Sequence, residues 1–128
     1  WLRFSDRLFM TREVAHTTAL AKFDGMLNAY FDSNRPQESG LPTVGYFADQ
    51  LHLSSNYFGD LVKKETGKTA QEHIQLKVIN LAKKRIYDAE KSISEIAFEL
   101  GFKYPQHFSR LFKKKVGFSP KDFRSSLN

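Results

Sequence analysis

The sequence contains no cysteine, which excludes disulfides and thiolate metal ligands and is compatible with a reducing compartment. No apolar run approaches the roughly 20 residues of a membrane-spanning helix. Nothing at the start has the layout of a signal peptide either, so a soluble, cytoplasmic protein is expected, with no membrane partner. No stretch alternates apolar and polar residues as a half-buried strand does, which leaves helical periodicity unopposed. Also absent are a nucleophile beside a base, paired carboxylates at a pocket and a Gly-rich phosphate loop, so no enzyme is expected. The four histidines, His16, His52, His73 and His107, include no i, i+4 pair with a carboxylate partner, and neither a metal nor another cofactor is expected.

What is present is unevenly placed. A chain of 128 residues, 41% of them hydrophobic, can build the core of one domain or of two very small ones. Its 20 Lys and Arg exceed its 14 Asp and Glu by six, yet the first 40 residues hold five of each sign. The last 26 residues carry Lys103, Arg110, Lys113, Lys114, Lys115, Lys121 and Arg124 against Asp122 alone. Such a localised positive field attracts a polyanion, whose counterions it releases.

From Thr18 to Phe31 the apolar residues Leu20, Phe23, Met26, Leu27, Tyr30 and Phe31 recur at helical spacing, which predicts an N-terminal amphipathic helix. The stretch "DSNRPQESG", residues 32–40, is rich in breakers and predicts a boundary of turns. Beyond it, Thr43, Ser54, Thr69, Ser92 and Ser119 each precede an apolar-periodic run and suit the N-cap, where a side-chain oxygen accepts a free backbone N–H. Thr69 with Glu72 and Ser92 with Glu95 fit capping boxes, and Pro120 suits a first helical position. The predicted helices are 43–51, 54–66, 70–88, 92–100, 104–116 and 119–126, an all-α fold.

Two of these helix pairs are copies of one another. Setting "FADQLHLSSNYFGDLVKKETGKTAQEHI" above "IAFELGFKYPQHFSRLFKKKVGFSPKDFR", with one residue inserted in the second, matches Ala48 to Ala97, Leu51 to Leu100 and Leu53 to Phe102. Phe58 then meets Phe108, Leu61 meets Leu111, Lys63 and Lys64 meet Lys113 and Lys114, and Gly67 meets Gly117. Each copy reads as a short helix, a tight turn and a second helix, the order of a helix-turn-helix. The small Ala97 allows close crossing, and Gly101 supplies a turn with positive φ. His52 stands where the first copy would have that glycine.

Through these stretches, above all "ISEIAFELGFKYPQHFSRLFKKKVGFSP", residues 41–126 resemble the DNA-binding domain of the AraC-type (AraC/XylS) transcription regulators, a mostly bacterial family. The resemblance implies two helix-turn-helix units joined by the helix 70–88, with both recognition helices in successive major grooves of double-stranded DNA. It implies base reading by Gln106, His107 and Arg110, with Ser55, Asn56 and Asp60 as the first unit's counterparts. Lys63, Lys64, Lys103, Tyr104, Lys113 and Lys114 are implied as phosphate contacts. The first recognition helix departs from the family pattern at Gly59 and Asp60, where many members carry long polar or basic readers. An aspartate there accepts from a cytosine amino group, or acts beside phosphates as a negative selector or as a structural cap.

The resemblance further implies transcription regulation, with RNA polymerase and, in the full-length protein, a second copy of the chain as additional partners. Because the chain opens on Trp1 rather than Met, residues 1–34 are expected to be the end of, or linker from, an upstream effector domain, and residues 41–128 the DNA-binding domain. The alternative is a helical protein-interaction adaptor whose basic face serves an acidic partner.

Overall fold

The computed structural model describes residues 12–127, and every regular element among them is helical. In chain order they are α1 (Arg12–Asp32), α2 (Arg35–Ser39), α3 (Val44–Gln50), α4 (Ser55–Thr66), α5 (Ala70–Ile86), α6 (Ile93–Glu99), α7 (Pro105–Val116) and α8 (Pro120–Ser126). From α3 onward the predicted spans hold to within about two residues. Upstream they differ. The first helix reaches back to Arg12, and the breaker-rich stretch 32–40 contains the short helix α2. Pro36 sits in the first turn of α2, where its missing N–H leaves no bond unmade, and its ring is fully buried.

The five helix-start residues act as expected. Thr43, Ser54, Thr69, Ser92 and Ser119 all have extended backbone and accept the N–H of the residue three positions on. At Thr69 and Ser92 the glutamate returns the bond, closing both capping boxes. Gly67 and Gly117 end α4 and α7 in the left-handed conformation (φ 79° and 97°), each donating to a lysine carbonyl one turn back.

The two units share a core. Phe47 of α3 and Phe58 of α4 are fully buried in the first, as are Ala97 of α6 and Phe108 and Phe112 of α7 in the second. Between them α5 buries Ile74, Val78, Ala82 and Ile86 in the same continuous cluster, with Leu81 half-buried against it. The turns match bond for bond: Leu53 N–H donates to the Ala48 carbonyl at 2.9 Å, and Phe102 N–H to the Ala97 carbonyl at 3.0 Å.

One residue separates the two turns. His52 adopts φ 59°, a region open to non-glycine residues at modest cost, whereas Gly101 adopts φ 105°. A Cβ at Gly101 would also lie 2.9 Å from the Gly40 carbonyl carbon and from the Leu41 nitrogen, both backbone atoms. Glycine is required at 101 by the chain packed against the turn as well as by the turn itself.

That neighbouring chain comes from the α1–α2 segment. Phe23, Leu27, Tyr30 and Phe31 of α1 are buried in the common core. Phe23 meets the rings of Phe47 and Phe58 edge-on, with centroids 5.3 and 5.0 Å apart. At the other end of α5, Glu99 accepts from Lys91 Nζ at 2.9 and 3.0 Å and lies 3.5 Å from Arg85 Nη1. Arg124 of α8 donates from Nε to the Ile86 carbonyl and from Nη2 to the Asp88 carbonyl, each at 3.1 Å. These bonds tie the second unit to the end of α5.

Candidate nucleic-acid interface

The inward anchors of α7 fix which side chains face out. With Phe108 and Phe112 fully buried and Leu111 half-buried, Gln106, His107, Arg110, Lys113 and Lys114 are all exposed. On α4, buried Phe58, Leu61 and Val62 likewise leave Ser55, Asn56, Asp60, Lys63 and Lys64 exposed. Lys103 and Tyr104, just before α7, are exposed as well. The structure thus brings the sequence-predicted residues onto the outer faces of two helices that hold equivalent places in their units.

The polar tips on α7 are uncommitted. Among the described residues Gln106, Arg110, Lys113 and Lys114 make no hydrogen bond or ion pair, which leaves their donors available to an external acceptor. His107 stacks edge-on against Tyr104, with centroids 5.4 Å apart, and the Lys103 ammonium lies 5.6 Å from the centre of the Tyr104 ring. Together they form an aromatic and cationic corner at the start of the helix. His107, Arg110, Leu111 and Lys114 line a shallow concavity on the same face.

The face of α4 is chemically different. Asp60 takes the place that Arg110 has in α7, and Lys63 folds back to donate to the Gly67 carbonyl at 3.1 Å. The repeat sets Tyr57, 46% exposed, opposite His107, a residue that the sequence reading does not name. The signal was available, because Phe58 and Phe108 anchor the alignment and their preceding residues must then coincide. Nearby, Glu72 has its carboxyl held below the ordinary 4.5, first by the Thr69 backbone N–H and hydroxyl it bonds, then by the charges of Lys63 and Lys115.

No described helix is long and apolar enough to cross a membrane. A family model described as a helix-turn-helix domain matches residues 47–126. The chain is similar to the uncharacterized transcriptional regulatory protein YesN of Bacillus subtilis, 36% identical over 78 residues that make up 59% of this chain and 21% of that protein. It is also similar to the HTH-type transcriptional activator RhaS of Escherichia coli, 34% identical over 77 residues, 60% of this chain and 28% of that one. The chain therefore spans roughly a quarter of the length of these curated relatives.

Among solved structures, the C-terminal domain of the two-component response regulator YesN from Fusobacterium nucleatum superposes with a TM-score of 0.73 at 25% identity, covering 84% of this chain and 98% of that one. The DNA-binding domain of the global transcriptional factor AdpA, solved in complex with a target DNA, shares the fold with a TM-score of 0.68 at 17% identity over 81% of this chain and 90% of that chain.

Proposed function

The chain belongs to the AraC-type helix-turn-helix family, and from that premise we propose that it binds double-stranded DNA sequence-specifically and regulates transcription, with α4 and α7 in successive major grooves. The observation that carries this reading is the doubled unit, with exposed polar and cationic side chains on the outer face of each second helix. Major-groove edges offer the complementary groups: guanine presents two acceptors that a guanidinium forks onto, and adenine presents an acceptor and a donor that a side-chain amide matches.

In this proposal Arg110 reads guanine, Gln106 reads adenine and His107 lies against a neighbouring base edge. Lys103, Tyr104, Lys113 and Lys114 hold phosphates beside them. The first unit contributes Ser55, Asn56 and Asp60 to base edges and Lys63 and Lys64 to the backbone, with Asp60 suited to a cytosine amino group. Residues 41–128 are the DNA-binding domain of a cytoplasmic bacterial regulator whose full-length form has RNA polymerase, a second copy and an upstream effector domain as partners.

The test is to select bound duplexes from a random library and to footprint the enriched sequence. Two protected major grooves about one helical turn, roughly 34 Å, apart are expected. Protection of a single groove refutes the two-groove arrangement. Failure to retard any duplex at low salt would leave the basic face to an acidic protein partner.

A further inference from the structure

α5 is one connection between the two reading units, and the structure contains a second. The segment from Phe23 to Leu41 is anchored in the first unit at one end and in the second unit at the other. At its start, Phe23 packs on Phe47 and Phe58 and approaches the His73 ring of α5, with centroids 6.2 Å apart. Tyr30 packs edge-on against Tyr46 of α3, with centroids 5.5 Å apart.

At its end, α2 packs against α6. Buried Pro36 lines, with Gly40, Phe98, Gly101 and Phe102, one shallow groove between that helix and the second turn. Gly40 itself presses on Gly101 so closely that no Cβ fits between them. The two ends are joined by one short bond, from the Tyr30 hydroxyl to the Gly40 carbonyl at 2.6 Å.

We propose that this segment is a brace: it fixes the position of the second unit relative to the first, and thereby the half-site spacing that the protein accepts on DNA. Tyr30, Pro36 and Gly40 are its positioning residues, and none of them lies on the exposed faces of α4 or α7. The physical reason is the number of independent attachments. Without this segment the second unit is held relative to the first only through α5, by its share of the core and by the Glu99 and Arg124 bonds at its end, which leaves rotation about α5 as the least resisted motion. A second strut packed on both units removes that freedom, because any rotation must break the apolar contact at Pro36 or open the Gly40–Gly101 approach. The brace can be tested in the free protein, whereas the statement about half-site spacing rests on the DNA-binding reading.

The absence of cysteine makes the test direct, since two introduced thiols are the only ones present. Spin labels at Asp49→Cys on α3 and Lys121→Cys on α8, both exposed positions, report the distribution of inter-unit distances by pulsed dipolar resonance. Unbraced variants are Tyr30→Phe, which removes the bond to Gly40 and keeps the ring, and Tyr30→Phe with Pro36→Ser, which also removes the apolar plug.

The braced protein should give one narrow distance peak, and the double variant a distribution at least about twice as wide with helix content unchanged. On a selected site, one inserted base pair displaces the second groove by about a tenth of a turn. That insertion should weaken the braced protein about tenfold and the double variant less than about threefold. An equally narrow distribution in a folded double variant overturns the brace. Should the double variant lose helix, the single Tyr30→Phe variant decides by the same comparison, expected broader and refuting if identical. If no duplex binds the parent protein, the DNA reading fails while the distance measurement still judges the brace.

Discussion

Replacing Lys113 and, separately, Arg110 by alanine should produce losses of different kinds. Both side chains are exposed and make no hydrogen bond or ion pair among the described residues, so each substitution should leave folding stability within about 0.5 kcal/mol of the parent. The exposed lysines proposed as phosphate contacts number five, Lys63, Lys64, Lys103, Lys113 and Lys114. With about 0.9 counterion released per contact, the slope of log affinity against log salt should be near −4.5, an affinity loss of about 500-fold between 50 and 200 mM salt. Lys113→Ala should flatten the slope to about −3.6 and reduce that loss to about 150-fold, on selected and random duplexes alike.

Arg110→Ala should leave the slope nearly unchanged. It should cost about 1 to 3 kcal/mol on the selected site, roughly fivefold to 150-fold, and should relax the preference at one base pair while random DNA is bound almost as before. Fluorescence anisotropy on both duplexes at four or more salt concentrations separates the outcomes. Equal losses on selected and random DNA for Arg110→Ala, with a flattened slope, would refute the assignment of Arg110 to a base edge.

Asp60→Asn should strengthen binding to random DNA on the order of threefold, because one anion facing phosphates is removed, and should shift the selected base at that position from cytosine toward adenine; an unchanged selected motif refutes base contact by Asp60. Phe108→Ala, which empties a fully buried ring site between Phe102 and Phe112, should lower unfolding free energy by about 3 to 5 kcal/mol in chemical denaturation. Burial, and then the neighbouring Tyr46, raise the Tyr30 phenol above its ordinary 10.0. The folded protein holds that proton more tightly, so its stabilisation is present below pH 10 and is lost as pH rises through the folded value. Tyr30→Phe should therefore be about 1 kcal/mol less stable at neutral pH and should show a shallower alkaline decline, read by thermal melts between pH 8 and 11. Glu72 runs the other way: its lowered carboxyl stabilises the fold above the ordinary 4.5 and ceases to as pH falls through the folded value. Glu72→Gln keeps a capping partner for Thr69 and should flatten the acid side of the stability curve.

Much of this was legible in local sequence because helix starts are local events. A hydroxyl three residues before a backbone N–H needs no distant partner, and Thr43, Ser54, Thr69, Ser92 and Ser119 cap as their positions predict. The faces of α4 and α7 were legible for a related reason, since Phe58, Phe108 and Phe112 point inward and helical spacing fixes the rest. What local reading missed is tertiary. The composition of residues 32–40 predicts turns, but Pro36 is compatible with a first helical turn, and its burial where α2 packs on α6 is what gives that turn a place. The turn alone calls for Gly101, and its φ of 105° together with the approach of Gly40 explains why the two copies differ there. Tyr57 precedes a core phenylalanine, and only the alignment of the two copies, which sets it opposite His107, marks it as an outward residue.

If Asp60 and Arg110 face DNA as proposed, their difference at equivalent places would give the bound protein a direction. A symmetric dimer imposes its two-fold axis on DNA and asks for a palindrome. One chain with two unlike units imposes no such axis. Its site would read differently from either end, and the bound protein would point one way along the duplex, like an arrow rather than a clasp. A promoter carrying the inverted site would then hold the same protein facing away from the gene.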